Sequence, residues 1–180
     1  MRWMLLLVMG FVLAACDGAR DLNEPPVPLG DFKLVHNIVV APKAVKGPLS
    51  RKASEELLTG SLKDAIAERF DRYEGTQRYH FGVSVEGYVL AQPGIPLVLS
   101  PKSILIIFVT VWDDAAGVKL NTEPKQITVF ESINGGSIVG SGYTQSAEEQ
   151  MKNLSQNAAK AIERYLVEQS KEQGWFSRAE

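Results

Sequence analysis

The chain has a single cysteine, Cys16, in 180 residues, so no disulfide forms within it and the fold must rest on its hydrophobic core. Histidine is almost as scarce. His36 and His80 are the two, and without carboxylate or thiolate partners at metal spacing they make no zinc site. Neither sign of charge gathers into a block. The 19 Lys and Arg are nearly balanced by 21 Asp and Glu, for a formal net charge of -2, which argues against a nucleic-acid surface and against an acidic solvating tail. No apolar run reaches the roughly 20 residues a membrane span needs. The best candidate in the body of the chain, Ile104 to Trp112, has 9 residues and reads as a strand. A nucleophile elbow, a metal-ligand cluster and a glycine-rich nucleotide loop are all lacking, so the chain is not expected to be an enzyme. Asp113 and Asp114 are adjacent in a turn sequence that continues Ala115-Ala116-Gly117 and read as a solvated hairpin tip. Gly140-Ser141-Gly142 lacks the strand–turn–helix setting of a phosphate loop and reads as glycine at a bend.

The opening residues are more informative. Arg2 supplies one positive charge, and Trp3 to Ala15 form an apolar segment of 13 residues ending in small side chains. That is the form of a secretion signal. Leu13-Ala14-Ala15-Cys16 resembles the lipobox of bacterial lipoproteins. The resemblance implies that the Cys16 thiol carries diacylglycerol, that the chain is cut before it, and that the new amino terminus is acylated. This covalent lipid is the one modification expected, with no other cofactor. A single acyl chain holds a membrane only reversibly, whereas two or three anchor stably. An uncleaved amphitropic anchor and a signal cut after Ala15 are the alternatives, but the second leaves an unpaired thiol in an oxidising compartment. Asp17 follows directly. In enteric bacteria an aspartate there retains lipoproteins at the inner membrane, which favours that membrane over the outer one, with the domain facing the periplasm. Asp17 also reads simply as the soluble start of a linker.

These readings divide the chain into a signal (1–15), a lipidated start and tether (16–30), one domain (31–173) and a tail (174–180). Setting Arg2 aside with the signal leaves 18 basic against 21 acidic residues on about 165, one domain of ordinary size. Asp17-Gly18 and Pro25-Pro26-Val27-Pro28 predict an extended, mobile tether. Phe32 to Val40 alternates as a strand, with Phe32, Leu34, His36, Ile38 and Val40 in one row. His36 in such a row reads as a packed or edge residue. Ser54 to Tyr73 has the period of a helix. Gly60 within it costs about 1 kcal/mol relative to alanine, and close packing would explain it. Arg69 lies in the apolar stripe and is expected to reach past the core edge with only its stem buried.

Tyr79 to Ala91 is the clearest strand, with Tyr79, Phe81, Val83, Val85 and Val89 facing one way and His80, Ser84, Glu86 and Tyr88 the other. Ser103 to Asp113 is apolar on both faces, as a covered central strand or one facing a partner or apolar ligand would be. A further strand is predicted from Gln126 to Ser132, a hairpin at Asn134-Gly135-Gly136 and a short strand from Ser137 to Tyr143. A long helix closes the domain, opened by a capping box of Ser146 and Glu149. Its stripe of Ala147, Met151, Leu154, Ala158, Ala161 and Tyr165 suits close packing on a sheet. Trp175 and Phe176 follow it, free to fold back, to meet a partner or to meet headgroups.

Strand, helix, three or four strands, helix predicts a two-layer α/β sandwich of the α+β kind: a mainly antiparallel sheet of four to five strands with both helices on one face. With the lipobox in front, the order resembles the small periplasmic lipoproteins that serve as auxiliary subunits of envelope transport systems. Pro101-Lys102-Ser103, Val111-Trp112-Asp113-Asp114 and Ile127-Thr128-Val129-Phe130-Glu131-Ser132 also look like uncharacterised lipoproteins of alphaproteobacteria. The resemblance implies a non-catalytic subunit with a protein partner in the envelope, a membrane contact through its lipid and no nucleic acid. A stand-alone binder of lipid or another small apolar ligand is the other expectation. The contacts expected of an uncovered sheet face are Leu105, Ile107, Val109 and Val111, with Tyr88 and Leu90 from the neighbouring strand.

Overall fold

The computed structural model describes residues 19–92, 103–132 and 146–177. Cys16, Asp17 and the signal-like run lie outside them, as do Asn134-Gly135-Gly136, the strand expected from Ser137 to Tyr143, and Gly140-Ser141-Gly142.

The fold is an α+β sandwich of one sheet and two helices. Its strands are β1 (Lys33–Val40), β2 (Val45–Lys46), β3 (Arg78–Val89), β4 (Ile104–Asp113), β5 (Val118–Lys119) and β6 (Lys125–Phe130), and its helices are α1 (Glu55–Phe70) and α2 (Ala147–Gln173). β1 and β2 pair in parallel with successive stretches of β3, so together they form one edge. β4 is antiparallel to β3, and β5 and β6 pair with different stretches of β4 to form the other edge. The parallel pairing of β1 and β3 across α1 is the strand–helix–strand unit expected from the sequence.

Parity decides what each strand buries, because successive side chains point to opposite faces. Tyr79, Phe81, Val83 and Val85 of β3 and Leu105, Ile107, Val109 and Val111 of β4 all face the helices. There they meet Leu58, Leu62, Ile66 and Phe70 of α1 and Met151, Leu154, Ala158, Ile162 and Leu166 of α2 in one core. Each fully buried Leu or Phe contributes roughly 1.5–3 kcal/mol through loss of water-exposed surface. Both helix starts are capped as their sequences predict. The Ser54 side chain accepts from the Leu57 N–H, and Ser146 and Glu149 make a complete capping box.

Two bulges change the expected rows. Between Leu34 and His36 the register with β3 slips by one residue, so Leu34 stays with Tyr79 on the helix side while His36, Ile38 and Val40 turn to the opposite face. A second bulge between Val85 and Gly87 brings Tyr88 into the core beside Leu105 and sends Val89 outward with Ile104. The expected directions of Tyr88 and Val89 are thereby reversed.

Both ends of the domain are tied in. Instead of a free tether, Ala19–Asn23 forms a 3-10 turn, and Leu29 is fully buried in the core. After α2, Gly174 adopts the left-handed conformation at φ 70°, which glycine enters without a Cβ penalty. The chain then turns back. Trp175 and Phe176 are buried, the Phe176 carbonyl accepts from the Asp31 N–H at 2.9 Å, and the Phe176 ring meets Phe32 at 4.9 Å and Tyr79 at 4.8 Å between centroids. Trp175 and Phe176 of the expected tail are part of the core.

Candidate functional site

The sheet face opposite the helices is apolar along most of its width. Cross-strand register builds it in rows: His36, His80 and Trp112, then Ile38, Gly82 and Thr110, then Val40, Ser84, Phe108 and Gln126. Ile106 with Thr128, and Val89 with Ile104 and Phe130, complete it. Ile38 is 63% exposed, Phe130 54% and Trp112 39%, and Ile104, Ile106 and Phe108 are partly exposed. Such a run of large apolar side chains on one surface is the mark of an interaction site.

The floor has a gap at Gly82, where an added Cβ would meet nothing within 4 Å. Glycine inside a strand weakens it and often marks close approach by another group. Charge sits at the His80 end of the face and at Glu86, partway along it. His80 Nε2 lies 2.8 Å from Asp114 Oδ1, and Arg78 Nε lies 3.2 Å from Asp114 Oδ2. Lys119 Nζ sits 5.4 Å from the centroid of the Trp112 ring, a cation–π contact over the ring face. The Ser84 hydroxyl donates to Glu86 Oε1 at 2.6 Å. Apart from Glu86, the rest of the face is hydrocarbon, hydroxyl and amide.

The contacts expected from the sequence are on the wrong side. Leu105, Ile107, Val109, Val111 and Leu90 are 0% exposed under the helices, and Tyr88 is buried with them. The Tyr88 hydroxyl accepts from the Ala53 N–H at 3.1 Å, just ahead of α1. The exposed set is the other parity of β4: Ile104, Ile106, Phe108, Thr110 and Trp112. One sequence signal distinguishes the two rows. The outward row carries a hydroxyl, Thr110, and pairs with the polar row of β3, whereas the inward row is purely aliphatic. Cys16 and Asp17 lie outside the described residues.

Arg69 also departs from expectation. It does not reach past the core edge; it is 1% exposed, the largest fully buried side chain among the described residues. Its guanidinium joins Asp21 Oδ1 at 2.7 Å and Glu163 Oε2 at 2.6 Å. Glu163, itself buried on α2, also accepts from the Tyr73 hydroxyl at 2.8 Å. Lys160 Nζ lies 3.3 Å from Asp21 Oδ2, and Arg72 Nη2 lies 3.7 Å from Glu163 Oε1. Burial by itself would raise the Asp21 pKa, but the Arg69 guanidinium and then Lys160 outweigh it and hold the carboxyl down at about 2. Burial, reinforced by the bond to Glu163, pushes the Tyr73 phenol up. With Glu163 held by Arg69 and Tyr73, the cluster is a structural tie between α1, α2 and the segment before β1.

Among the described residues no group of three or more His, Cys, Asp or Glu is arranged to hold a metal ion. No described helix is long and apolar enough to cross a membrane. The Asp113–Asp114 pair lies in a turn, where Asp113 Oδ1 accepts from the Ala116 N–H at 2.9 Å and Asp114 is taken up by His80 and Arg78.

No protein-family model matches the chain, and no curated protein does. Several solved structures are similar to it over most of its length, at low identity. A Xanthomonas campestris protein of the DUF330 family is 13% identical, with 82% of this chain and 94% of that one covered at a TM-score of 0.46. A minor lipoprotein from Acinetobacter baumannii is 21% identical over 78% and 94% of the two chains, at 0.37. The subunit of a PelC dodecamer from Paraburkholderia phytofirmans is 12% identical over 74% and 92%, at 0.34. Likeness at this distance leaves activity open.

Proposed function

We propose that this chain is a lipid-anchored protein of a bacterial envelope, held by an acylated Cys16. It faces the periplasm, with Asp17 favouring the inner membrane, and acts as a non-catalytic auxiliary subunit of a transport or assembly system. The observation that supports it is the sheet face that no described element covers. A lipid-anchored monomer has no use for exposed Ile38, Trp112 and Phe130 on the same face as Phe108, unless another surface covers them. The partner is a protein that presents an apolar surface of its own, and the lipid confines the search for it to the membrane surface.

Two substitutions in β4 separate interaction from folding. Phe108→Asp places a carboxylate on the open face and should leave the unfolding midpoint within about 1 kcal/mol of wild type. Leu105→Asp, three positions away on the other parity, buries an unpaired charge and should unfold the domain. In a crosslinking pull-down from membranes, Phe108→Asp should lose the partner recovered with wild type, and Cys16→Ala should lose it through mislocalisation. A folded Phe108→Asp protein that keeps the full set of partners would overturn the reading. If no protein partner is recovered and a lipid is found bound in native mass spectrometry, the stand-alone apolar-ligand binder takes its place.

A further inference from the structure

The arm that precedes Leu29 is docked by charge. Asp21 meets the Arg69 fork through both carboxylate oxygens, Oδ1 at 2.7 Å from Nη2 and Oδ2 at 3.4 Å from Nη1. Arg72 Nη1 donates to the carbonyls of Leu22, at 3.1 Å, and Glu24, at 2.8 Å. Lys160 closes the third side of Asp21. Further along, the Ser170 hydroxyl of α2 donates to the Leu29 carbonyl at 3.1 Å. These cations come from α1, from the turn after it, and from α2, so the arm lies on the helical layer, away from the open sheet face.

The contact is also separable from the core. Arg69 and Glu163 already pair between α1 and α2 at 2.6 Å. If the arm leaves, Arg69 keeps one carboxylate and no buried charge is orphaned. If the arm stays, Asp21 adds a second carboxylate to a cluster that otherwise holds three cations against one anion. The arm is therefore bound by an electrostatic surplus that the folded helices supply, not by burial of its own apolar side chains.

We propose that this contact is a clamp that sets how far, and with which side, the domain stands from its membrane. The distance part rests on the reading of Cys16 as the anchor. Asp21 is five residues beyond Cys16, a reach of roughly 17 Å at full extension. With the arm released, the first core-held residue is Leu29, thirteen beyond Cys16, and the reach rises to roughly 45 Å. Clamped, the domain hangs on a short leash from its helical layer, and the open face is turned to partners rather than to lipid.

The full-length protein in supported bilayers of phosphatidylethanolamine and phosphatidylglycerol tests this, with Asp21→Ala and the double variant Asp21→Ala/Arg72→Ala. Hydrogen exchange reads the clamp and neutron reflectometry reads the height. In wild type the Glu24 amide, which donates to the Asp21 carbonyl, should be protected. Loss of a charge-assisted contact should speed its exchange on the order of ten- to a hundredfold, further in the double variant, with α2 protection unchanged. The protein layer should move outward and broaden, by no more than roughly 28 Å, the difference between the two full reaches. Coil-like exchange of the wild-type arm, or no change in Asp21→Ala, overturns the clamp. Exchange that behaves as stated, on protein whose mass shows no lipid at Cys16, upholds the clamp and overturns the anchor.

Discussion

Breaking the buried pair of Arg69 and Glu163 should cost far more than replacing it. Glu163→Ala leaves a guanidinium that is 1% exposed with Asp21 alone, and deprives the Tyr73 hydroxyl of its acceptor. Removing one partner of a buried pair typically costs about 3–5 kcal/mol. A domain of this size holds roughly 5–15 kcal/mol in all, so the loss is about a fifth of the total or more. At roughly 2–4 °C per kcal/mol, the melting temperature should fall by about 6–20 °C. Arg69→Met/Glu163→Leu removes both charges and fills the same space with hydrocarbon, and such swaps are often neutral or stabilising. The assay is urea unfolding of Arg69→Met, Glu163→Leu and the double variant, followed by circular dichroism and by fluorescence of the buried Trp175. The double variant should recover most of what either single loses, giving a coupling of several kcal/mol by the double-mutant cycle. Single losses under about 1 kcal/mol, or a double loss equal to their sum, would refute the reasoning.

Gly60→Ala should stabilise the protein by about 0.5–1 kcal/mol, because a Cβ there meets nothing within 4 Å; a lower denaturation midpoint would show that the site is not open helix surface. Close packing, the explanation its sequence suggested, does not hold. Asp21 gives a pH dependence of definite sign. Its folded pKa, about 2, lies below the ordinary 3.8, so its contribution is complete above the ordinary value and is lost as pH falls through the folded one. Arm amides should stay protected at pH 5 and lose protection between about pH 4 and 2. A carboxyl titration of Asp21 centred at or above its ordinary value would contradict the pairing.

The parts of the fold that follow local rules were legible in the sequence. Tyr79 to Val85 alternates over a simple period of two, the capping box is spelled out by Ser146 and Glu149, and both helices lie where their apolar stripes put them. What was missed depends on register or on distance along the chain. A bulge is one extra residue with no composition of its own, so nothing in Leu34-Val35-His36 or Val85-Glu86-Gly87 announces the change of parity. The two rows of β4 are both apolar, and choosing between them needs the pairing with β3 as well as the single hydroxyl of Thr110. Arg69 finds partners 48 residues before it and 94 after it, and a helical stripe read alone cannot show either. The same holds for Trp175 and Phe176, whose place in the core depends on Gly174 reversing the chain toward Phe32.

On the proposed function, a partner sits on the sheet face opposite the helices. A photo-crosslinking amino acid at Thr110, in the middle of that face, and another at Thr59, on α1, should be introduced separately into the full-length protein and activated in intact membranes. The account predicts one discrete adduct from Thr110 and none from Thr59, with the Thr110 adduct lost when Ile38→Asp is added. Equal labelling from both positions, or a discrete adduct from Thr59 alone, would contradict it.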